Sequence, residues 1–290
     1  MQHKVKATGK TGKYVDATEE KILLELPAEG TDTATYVTRF NRNVVGNIIN
    51  NGIGARYGSA DTTDGAANGI YVDDGAYNVL IDSNTVSNIA DAGIHGNNNR
   101  YITATNNTIF KSNKGYSTQR FGNVNPIRPG RTVIGMRITK NIFYPYRFTY
   151  RDLERDKPVI TVLAAMQNIG TVDSNYYSLR SGTDTSLLET TTLYDGTGYT
   201  ENVRNITYVK STVGWETMTP TRFISDNTSG TLYTNPSNSS IVVNFSGLSK
   251  KDVFGNVYNN SVTMPAWGSI ILLDNGNVTT TRTFFIRRKK

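Results

Sequence analysis

Two adjacent carboxylates and a histidine are the first residues in this chain whose types could support acid–base chemistry. Asp73 and Asp74 follow the short apolar run GIYV, and His95 stands further along in GIHG. Paired carboxylates can transfer protons in general acid–base catalysis, and histidine titrates near neutral pH. The same aspartates also open the segment DDGAYN, whose residue types are typical of a tight turn. Both a catalytic site and a scaffold turn are therefore consistent with the sequence here.

Two segments rich in arginine and tyrosine are candidates for binding an anionic sugar chain. Aromatic faces stack on sugar rings, and the planar guanidinium of arginine pairs with a carboxylate or sulfate. The alternative interpretation is that the tyrosines cover an apolar flank of the fold. The candidate binding residues are Arg120, Arg128 and Arg131 in the first segment (residues 117–131), and Tyr144, Tyr146, Arg147, Tyr150 and Arg151 in the second (residues 143–157).

A third stretch, TTDGAANG (residues 62–69) together with Asp61, is rich in oxygen-bearing side chains. Carboxylate and carbonyl oxygens are the ligands that Ca²⁺ prefers. The spacing does not match an EF-hand, and a loop of small polar residues explains it equally well. The pattern is therefore compatible with a Ca²⁺ site as well as with a plain loop, and the sequence indicates no other cofactor. The chain has no cysteine, so disulfides and cysteine-based metal sites are excluded.

A short motif recurs through the first 180 residues and predicts the strands that carry these candidate residues. It consists of an apolar residue, two polar residues, an asparagine and renewed apolar character. The five copies are FNRNVV (40–45), IDSNTV (81–86), ATNNTI (104–109), ITKNIF (138–143) and VDSNYY (172–177). Their asparagines are Asn43, Asn84, Asn107, Asn141 and Asn175. Repeats this small cannot bury an apolar face alone, so they are expected to stack and share one core.

The motif predicts an all-β fold in the form of a parallel β-solenoid, with short strands and tight turns. An asparagine at the same place in every repeat can form a ladder in which side-chain amides satisfy one another. Superposing the repeats places Tyr71 beside His95, and Asp73-Asp74 beside Asn97-Asn98. The alternative is a β-sandwich whose strands share turn residues by chance.

The segments NVLIDSNTVSN and YITATNNTIFKSN resemble the repeats of right-handed parallel β-helix proteins, the group with pectate-lyase-like repeats. The resemblance covers residues 36–180 and implies a right-handed parallel β-helix. Polygalacturonase-like members carry an Asp-Asp pair, then Gly-His-Gly, then Arg-x-Lys, which Asp73-Asp74, His95 and Arg137 match in part. In that group the acidic pair precedes a strand, whereas here it follows one. The register therefore favours the turn interpretation.

The asparagine motif stops after about residue 180, which sets the first domain at 1–180. A linking segment over 181–204 is predicted to follow, then an antiparallel β-rich module with a basic tail over 205–290, with a brief helix in VGWETMT (213–219). The words YTNP, DVFG and MPAWGSIILL resemble the C-terminal cap of secreted bacterial β-helix proteins and glycoside hydrolases. That resemblance implies a structural role in covering strand edges. It also implies that N-terminal coils are missing or shortened in this sequence, because members of the group usually have more coils before the first such motif.

The charge and composition of the chain indicate which classes of partner it could bind. The net charge is +7, and four of the positive charges lie in the C-terminal IRRKK. An acidic partner suits that charge, but no zinc-finger spacing, basic helix or RNA-binding aromatic signature supports nucleic acid. No segment is apolar enough to predict a membrane span, and the first residues lack the apolar stretch of a signal peptide.

The resemblance implies an extracellular or cell-surface protein that binds or degrades an anionic polysaccharide, as a polysaccharide lyase or glycoside hydrolase. Lyases of the group use lysine or arginine as the base, together with a cation that acidifies the sugar. Lys111, Lys114 and Arg137 are the unranked candidates on that basis. The alternative is a non-enzymatic structural or adhesive component of a cell surface or viral fibre, for which a homo-oligomer is expected. Whether the protein is an enzyme stays open at this point.

Overall fold

The computed structural model is all-β, with two sheets of mainly parallel strands followed by an antiparallel sheet. The chain forms two compact units, residues 1–227 and 228–290, which are described separately below. The structure describes residues 39–52, 67–73, 76–97, 99–119, 135–144, 160–163, 170–177, 188–192, 200–218 and 230–277. Among these residues, no helix has the length and apolar character needed to cross a membrane.

The first sheet takes one strand from each successive repeat, and all its strands are parallel. In sheet order they are β1 (Arg39–Val45), β4 (Ala76–Asp82), β6 (Arg100–Thr105), β8 (Met136–Thr139) and β11 (Gly170–Asp173). Burial alternates along these strands, since alternate side chains point to opposite faces of a sheet. Ile81, Ala104 and Ile138 align in register and are fully buried. The prediction of parallel strands in an all-β fold is therefore confirmed.

The second sheet receives two runs of strand from each repeat. Its strands are β2 (Ile48–Asn50), β3 (Ile70–Val72), β5 (Thr85–Asn97), β7 (Thr108–Gln119), β9 (Ile142–Tyr144), β10 (Ile160–Leu163), β12 (Tyr176–Tyr177), β13 (Leu188–Thr192) and β14 (Thr200–Arg204). The long strands β5 and β7 pair with β2 and β9 through their first halves, and with β3 and β10 through their second halves. A register shift between Ile89 and Ala92 separates the two halves of β5. β14 differs from the rest because it pairs antiparallel with β13.

The interior lies between the sheets and is filled by apolar side chains stacked from repeat to repeat. Val86, Ile109, Phe143 and Tyr177 align in register and are at most 2% exposed. The rings of Phe143 and Tyr177 stack with centroids 5.5 Å apart. Since each repeat contributes one member to such a row, burial of this surface requires neighbouring repeats.

A ladder of asparagines runs beside this core, at the corner between the two sheets. The Nδ2 of Asn84 donates to Oδ1 of Asn107 at 2.9 Å, Asn107 repeats the contact with Asn141 at 2.9 Å, and Asn141 with Asn175 at 3.0 Å. The same Oδ1 atoms also accept backbone N–H groups, as from Asn84 to Asn107 at 3.0 Å. These four buried asparagines are the predicted ladder residues, and the ladder is confirmed for them.

The prediction that Asn43 is the ladder residue of the first repeat was wrong, because Asn47 takes that place. Asn43 is exposed and pairs in register with Leu80 in the strand, whereas Asn47 donates to Oδ1 of Asn84 at 2.9 Å. The physical reason lies in the residue that precedes each ladder asparagine, because it has a positive φ and turns the chain at the corner. These residues are Gly46, Ser83, Asn106, Lys140 and Ser174. In the segment FNRNVV, the residue before Asn43 does not have a positive φ. In the segment VVGNII, Gly46 precedes Asn47 and has a positive φ.

A short helical segment follows the last strand of the second sheet. Helix α1 (Ile206–Tyr208) is capped by Asn205, whose Oδ1 accepts from the Tyr208 backbone N–H at 2.9 Å, and it continues as a π-helical turn, Val209–Val213. Gly214, with φ +77°, ends it. The helix therefore lies before the predicted 213–219, because the asparagine cap and the glycine set its two ends.

The residues that follow this helix pack on the last repeat. The indole Nε1 of Trp215 donates to the carbonyl of Gly170 at 3.0 Å, and the Glu216 N–H donates to the carbonyl of Val172 at 2.7 Å. Residues 205–216 thus lie within the first compact unit. Strands β13 and β14 lie within the stretch 181–204.

The second unit is a four-stranded antiparallel sheet, as predicted. Its strands are β15 (Thr231–Thr234), β16 (Ile241–Asp252), β17 (Val257–Met264) and β18 (Ser269–Asn277), in the order β15-β18-β16-β17. Phe245, Val262, Met264 and Leu272 form its small core. The word DVFG is a turn in which the Asp252 carboxylate accepts backbone N–H groups of Phe254 and Asn256, each at 2.9 Å.

Candidate functional site

The candidate site lies on the outward side of the second sheet, across the second halves of β5 and β7. Ile94 and Tyr116 point into the core, so the next residues along each strand, His95 and Ser117, point to the opposite face of the sheet. Tyr71 pairs in register with His95, and His95 with Ser117. The predicted superposition of Tyr71 on His95 is therefore confirmed. Three successive repeats contribute one side chain each to this row.

Asp73 occupies a turn, and its side chain also takes part in the site. Its carbonyl accepts the N–H of Ala76 at 3.2 Å, which is the turn between β3 and β4. Its Oδ1 accepts from the Tyr71 hydroxyl at 3.2 Å and from Nδ2 of Asn97 at 3.0 Å. Asn97 is its counterpart in the next repeat, as the superposition predicted. The carboxylate therefore holds an exposed aromatic ring in place while opening a turn.

His95 is the most unusual group of the site, because it is buried without a full set of hydrogen bonds. It is 7% exposed, and its Nδ1 has no hydrogen-bond partner. Its ring lies 5.0 Å from that of Tyr71, which is 51% exposed. Burial lowers the pKa of His95 to about 4, an effect that Lys114 adds to and Asp91 and Asp73 oppose. The imidazole is therefore neutral at pH 7.

A cation stands beside this histidine. Lys114 forms an ion pair with Asp91 at 3.0 Å, and both side chains are partly exposed. Lys114 is in register with Ala92, at the shift that separates the two halves of β5. The irregularity thus places Asp91 where it can pair with the neighbouring repeat. The site combines a neutral base, a cation and an exposed aromatic ring.

The other basic candidates lie elsewhere. The Nζ of Lys111 lies 5.2 Å from the ring centroid of Phe110, on the first half of β7. Arg137 is exposed on β8 of the first sheet. Of the three predicted bases, Lys114 is the one whose charge acts on His95.

Tyr144 is the one predicted sugar-binding residue that lies within the described part of the chain. Tyr144 is fully buried, and its ring stacks on Phe110 with centroids 5.1 Å apart. The remaining predicted residues lie outside the described part of the chain: Asp61, Asp74, Arg120, Arg128, Arg131, Tyr146, Arg147, Tyr150 and Arg151. Within the described residues, no group of three or more histidine, aspartate or glutamate side chains is arranged to hold a metal ion.

The sequence motifs do not identify Tyr71 as a site residue or Asp91 as the partner of Lys114. Both residues act on His95, since Tyr71 contacts its ring and Asp91 raises its pKa. A signal for Tyr71 was present, because it occupies the position of His95 in the preceding repeat. Asp91 carried no such signal, since its placement depends on the register shift.

Searches against protein-family models, curated proteins and solved structures found no match to this chain. The chemistry of the site is therefore argued from its own geometry.

Proposed function

We propose that this protein is an extracellular, right-handed parallel β-helix that binds an acidic polysaccharide and cleaves it by elimination at the His95 face. The observation that carries the proposal is the buried, neutral His95, whose Nδ1 has no hydrogen-bond partner, flanked by exposed Tyr71 and the partly exposed Lys114. A base that is neutral at working pH and a nearby cation are what removal of a proton next to a uronate carboxylate requires.

The solenoid form is supported by the order of the strands. Each repeat feeds one strand to the first sheet and two runs to the second, with parallel pairing between successive repeats. A right-handed path is the rule for parallel strands joined by crossovers. The outward faces of such a stack present rows of side chains, one from each repeat, and a linear polymer can lie along them.

The elimination step follows from the groups present. The His95 imidazole takes the proton on the carbon next to the uronate carboxylate, and Lys114 stabilises the negative charge that develops on that carboxylate. The electron pair left on carbon forms a C=C bond as the glycosidic C–O bond breaks. The leaving oxygen takes a proton from the Tyr71 hydroxyl. Burial, followed by Asp73, raises the pKa of Tyr71, so this group stays protonated near neutral pH.

The test is an assay of the new C=C bond by its ultraviolet absorbance, on alginate, pectate and glycosaminoglycans. We expect the wild-type chain to produce the signal on one of these substrates and His95→Gln to reduce the rate about a hundredfold or more. Lys140→Ala, at an exposed corner residue, is the control and should keep the wild-type rate. Absence of binding and of turnover across the whole panel would sink the proposal.

A structural or adhesive fibre component, on a cell surface or virion, is the second candidate. It is favoured by the first repeat, where β1 and β2 each pair on one side only among the described residues. Exposed strand edges invite pairing with another chain. Light scattering that shows an elongated trimer or polymer, together with no glycan binding, would select this function over the first.

A further inference from the structure

A row of residues with left-handed backbone conformation crosses the first sheet where each repeat enters it. Asn41, Asn78, Tyr101 and Gly135 have φ values of 52°, 54°, 54° and 67°. They occupy equivalent register positions, since the residues one or two places along the strands pair with one another. Asparagine and glycine adopt this conformation readily, whereas a bulky aromatic residue rarely does. Tyr101 is therefore the exception in its row.

Tyr101 lacks the side-chain amide that the two preceding members of the row use to contact each other. Nδ2 of Asn78 donates to Oδ1 of Asn41 at 2.6 Å, so amides of neighbouring repeats bond to each other here. An asparagine at 101 would suit the backbone and could extend this pairing. A strained conformation that is retained calls for a role of the side chain outside backbone geometry.

Core packing does not supply that role. Tyr101 is 44% exposed, and its ring meets Tyr77 edge-on with centroids 5.0 Å apart. The ring also lies directly over Gly135, where an added Cβ would come within 2.4 Å of Cδ1 of Tyr101. The glycine thus leaves room for the ring to lie against the neighbouring repeat. The result is a supported aromatic surface that faces solvent.

Two arginines lie close in register to this aromatic surface. Arg100 precedes Tyr101 and pairs in register with Tyr77, and the exposed Arg137 lies diagonally across from Tyr101 on β8. Guanidinium groups bind carboxylate and sulfate in a planar fork. Tyr77 and Tyr101 each follow, by four residues, a residue of the His95 site, namely Asp73 and Asn97. The surface therefore begins just past the corner that ends the proposed site.

We infer that Tyr101, supported by Tyr77 and Gly135, is a stacking subsite for a sugar ring of an acidic polysaccharide. This subsite lies on the first sheet and is separate from the His95 face on the second. Stacking on the ring and pairing of the sugar's acidic group with Arg137 are the two contacts it offers. The inference rests on the proposed function for its ligand class.

The decisive variant is Tyr101→Asn, because it removes the ring while keeping a residue suited to the backbone. Binding of oligogalacturonate, oligoalginate and chondroitin sulfate oligosaccharides is measured by titration calorimetry. Tyr101→Asn should weaken the best of these ligands about tenfold and leave the melting temperature unchanged or about 2 °C higher. Tyr101→Phe keeps the ring and should bind like the wild type. Tyr208→Ala, at an exposed tyrosine on α1, is the matched control and should bind normally.

The outcomes separate the two proposals. If Tyr101→Asn binds like the wild type while Lys114→Ala loses affinity, the subsite is refuted and the proposed function stands. If Tyr101→Asn melts lower and binds normally, the ring serves packing and the inference is again overturned. If the wild-type chain binds none of the three ligands, both proposals fail together.

Discussion

Nδ2 of Asn175 donates to a carboxylate oxygen of Glu216 at 2.7 Å, so the asparagine ladder ends on a group that only accepts hydrogen bonds. Glu216 is fully buried, and its other oxygen accepts the Asn175 backbone N–H at 3.3 Å. The Tyr177 hydroxyl donates to the same carboxylate. Every ladder asparagine donates its backbone N–H and one side-chain N–H to the side chain of the next ladder residue, and Glu216 receives these two donors from Asn175. The carboxylate thus closes the ladder without leaving a buried donor unpaired.

Replacing this carboxylate should therefore be costly. Glu216→Ala leaves the two Asn175 donors and the Tyr177 hydroxyl buried without their acceptor, and we expect it to lower the free energy of unfolding by about 3 kcal/mol. Glu216→Gln keeps one acceptor oxygen and should cost about 1 kcal/mol. Urea unfolding followed by circular dichroism measures both. Met218→Ala, at a side chain 75% exposed, is the control and should change little. Equal stability of the alanine variant and the wild type would contradict this account of the ladder end.

The middle of the ladder should matter more than its first member. Asn107 is fully buried, donates to the carbonyl of Ile81 and to Asn141, each at 2.9 Å, and accepts from Asn84. Asn107→Ala should cost about 3 kcal/mol, because several buried groups lose their partner at once. Asn47→Ala, at the exposed first position, should cost about 1 kcal/mol or less. The comparison uses unfolding midpoints of the two variants in urea, and a larger loss for Asn47 would reverse the argument.

The glycine that opens GIHG is required by close packing rather than by its backbone angle. A Cβ at Gly93 would lie 2.2 Å from Cγ2 of Ile109 and 3.1 Å from the carbonyl of Gly115. Gly93→Ala should therefore destabilise the protein by about 2 kcal/mol through overpacking. Gly46→Ala is the contrast, since φ is +68° there and no atom lies within 4 Å, so that only backbone strain of about 1 kcal/mol is expected. Thermal unfolding ranks the two variants, and Gly46→Ala as the more harmful change would disprove the packing argument.

His95 should make stability depend on pH. Burial lowers its pKa to about 4 in the folded chain, from 6.5 without that burial, with Asp91, Asp73 and Lys114 as the charged neighbours that modify the value. As the pH falls, His95 binds a proton in the unfolded chain before it does so in the folded chain. The free energy of unfolding therefore keeps its full value above about pH 6.5 and decreases as the pH falls toward 4. The shift corresponds to about 3 kcal/mol at most.

The measurement compares His95→Gln with the wild type by urea unfolding at about pH 7 and about pH 4.5. The variant should show a smaller fall in unfolding free energy, since a glutamine does not titrate while all carboxylates remain. The other histidine of the chain, His3, serves as the control through His3→Gln, which should keep the wild-type pH dependence. Identical pH profiles for His95→Gln and the wild type would show that His95 is not held neutral by burial.

The repeat architecture was readable from the sequence because each position of the motif meets one local requirement. The ladder asparagine satisfies buried backbone groups, the residue before it turns the chain, and the apolar residue two places later enters the core, as Asn107, Asn106 and Ile109 do. The same pattern recurs with each repeat, so it could be recognised without any tertiary information. The pairing of Tyr71 with His95 followed from superposing those repeats.

Local sequence could not identify the interacting residues where two segments fit the motif, or where the contacting residue lies far along the chain. FNRNVV and VVGNII both contain a suitable asparagine, and pairing of β1 with β4 selected Asn47. Glu216 carries no local sign of its role, because Asn175 reaches it only after the intervening strands have folded back onto the last repeat. The environment of His95 likewise arises from Tyr71 and Lys114 in the two flanking repeats. Residue types thus encode the periodic scaffold, whereas register and long-range packing assemble its ends and its candidate site.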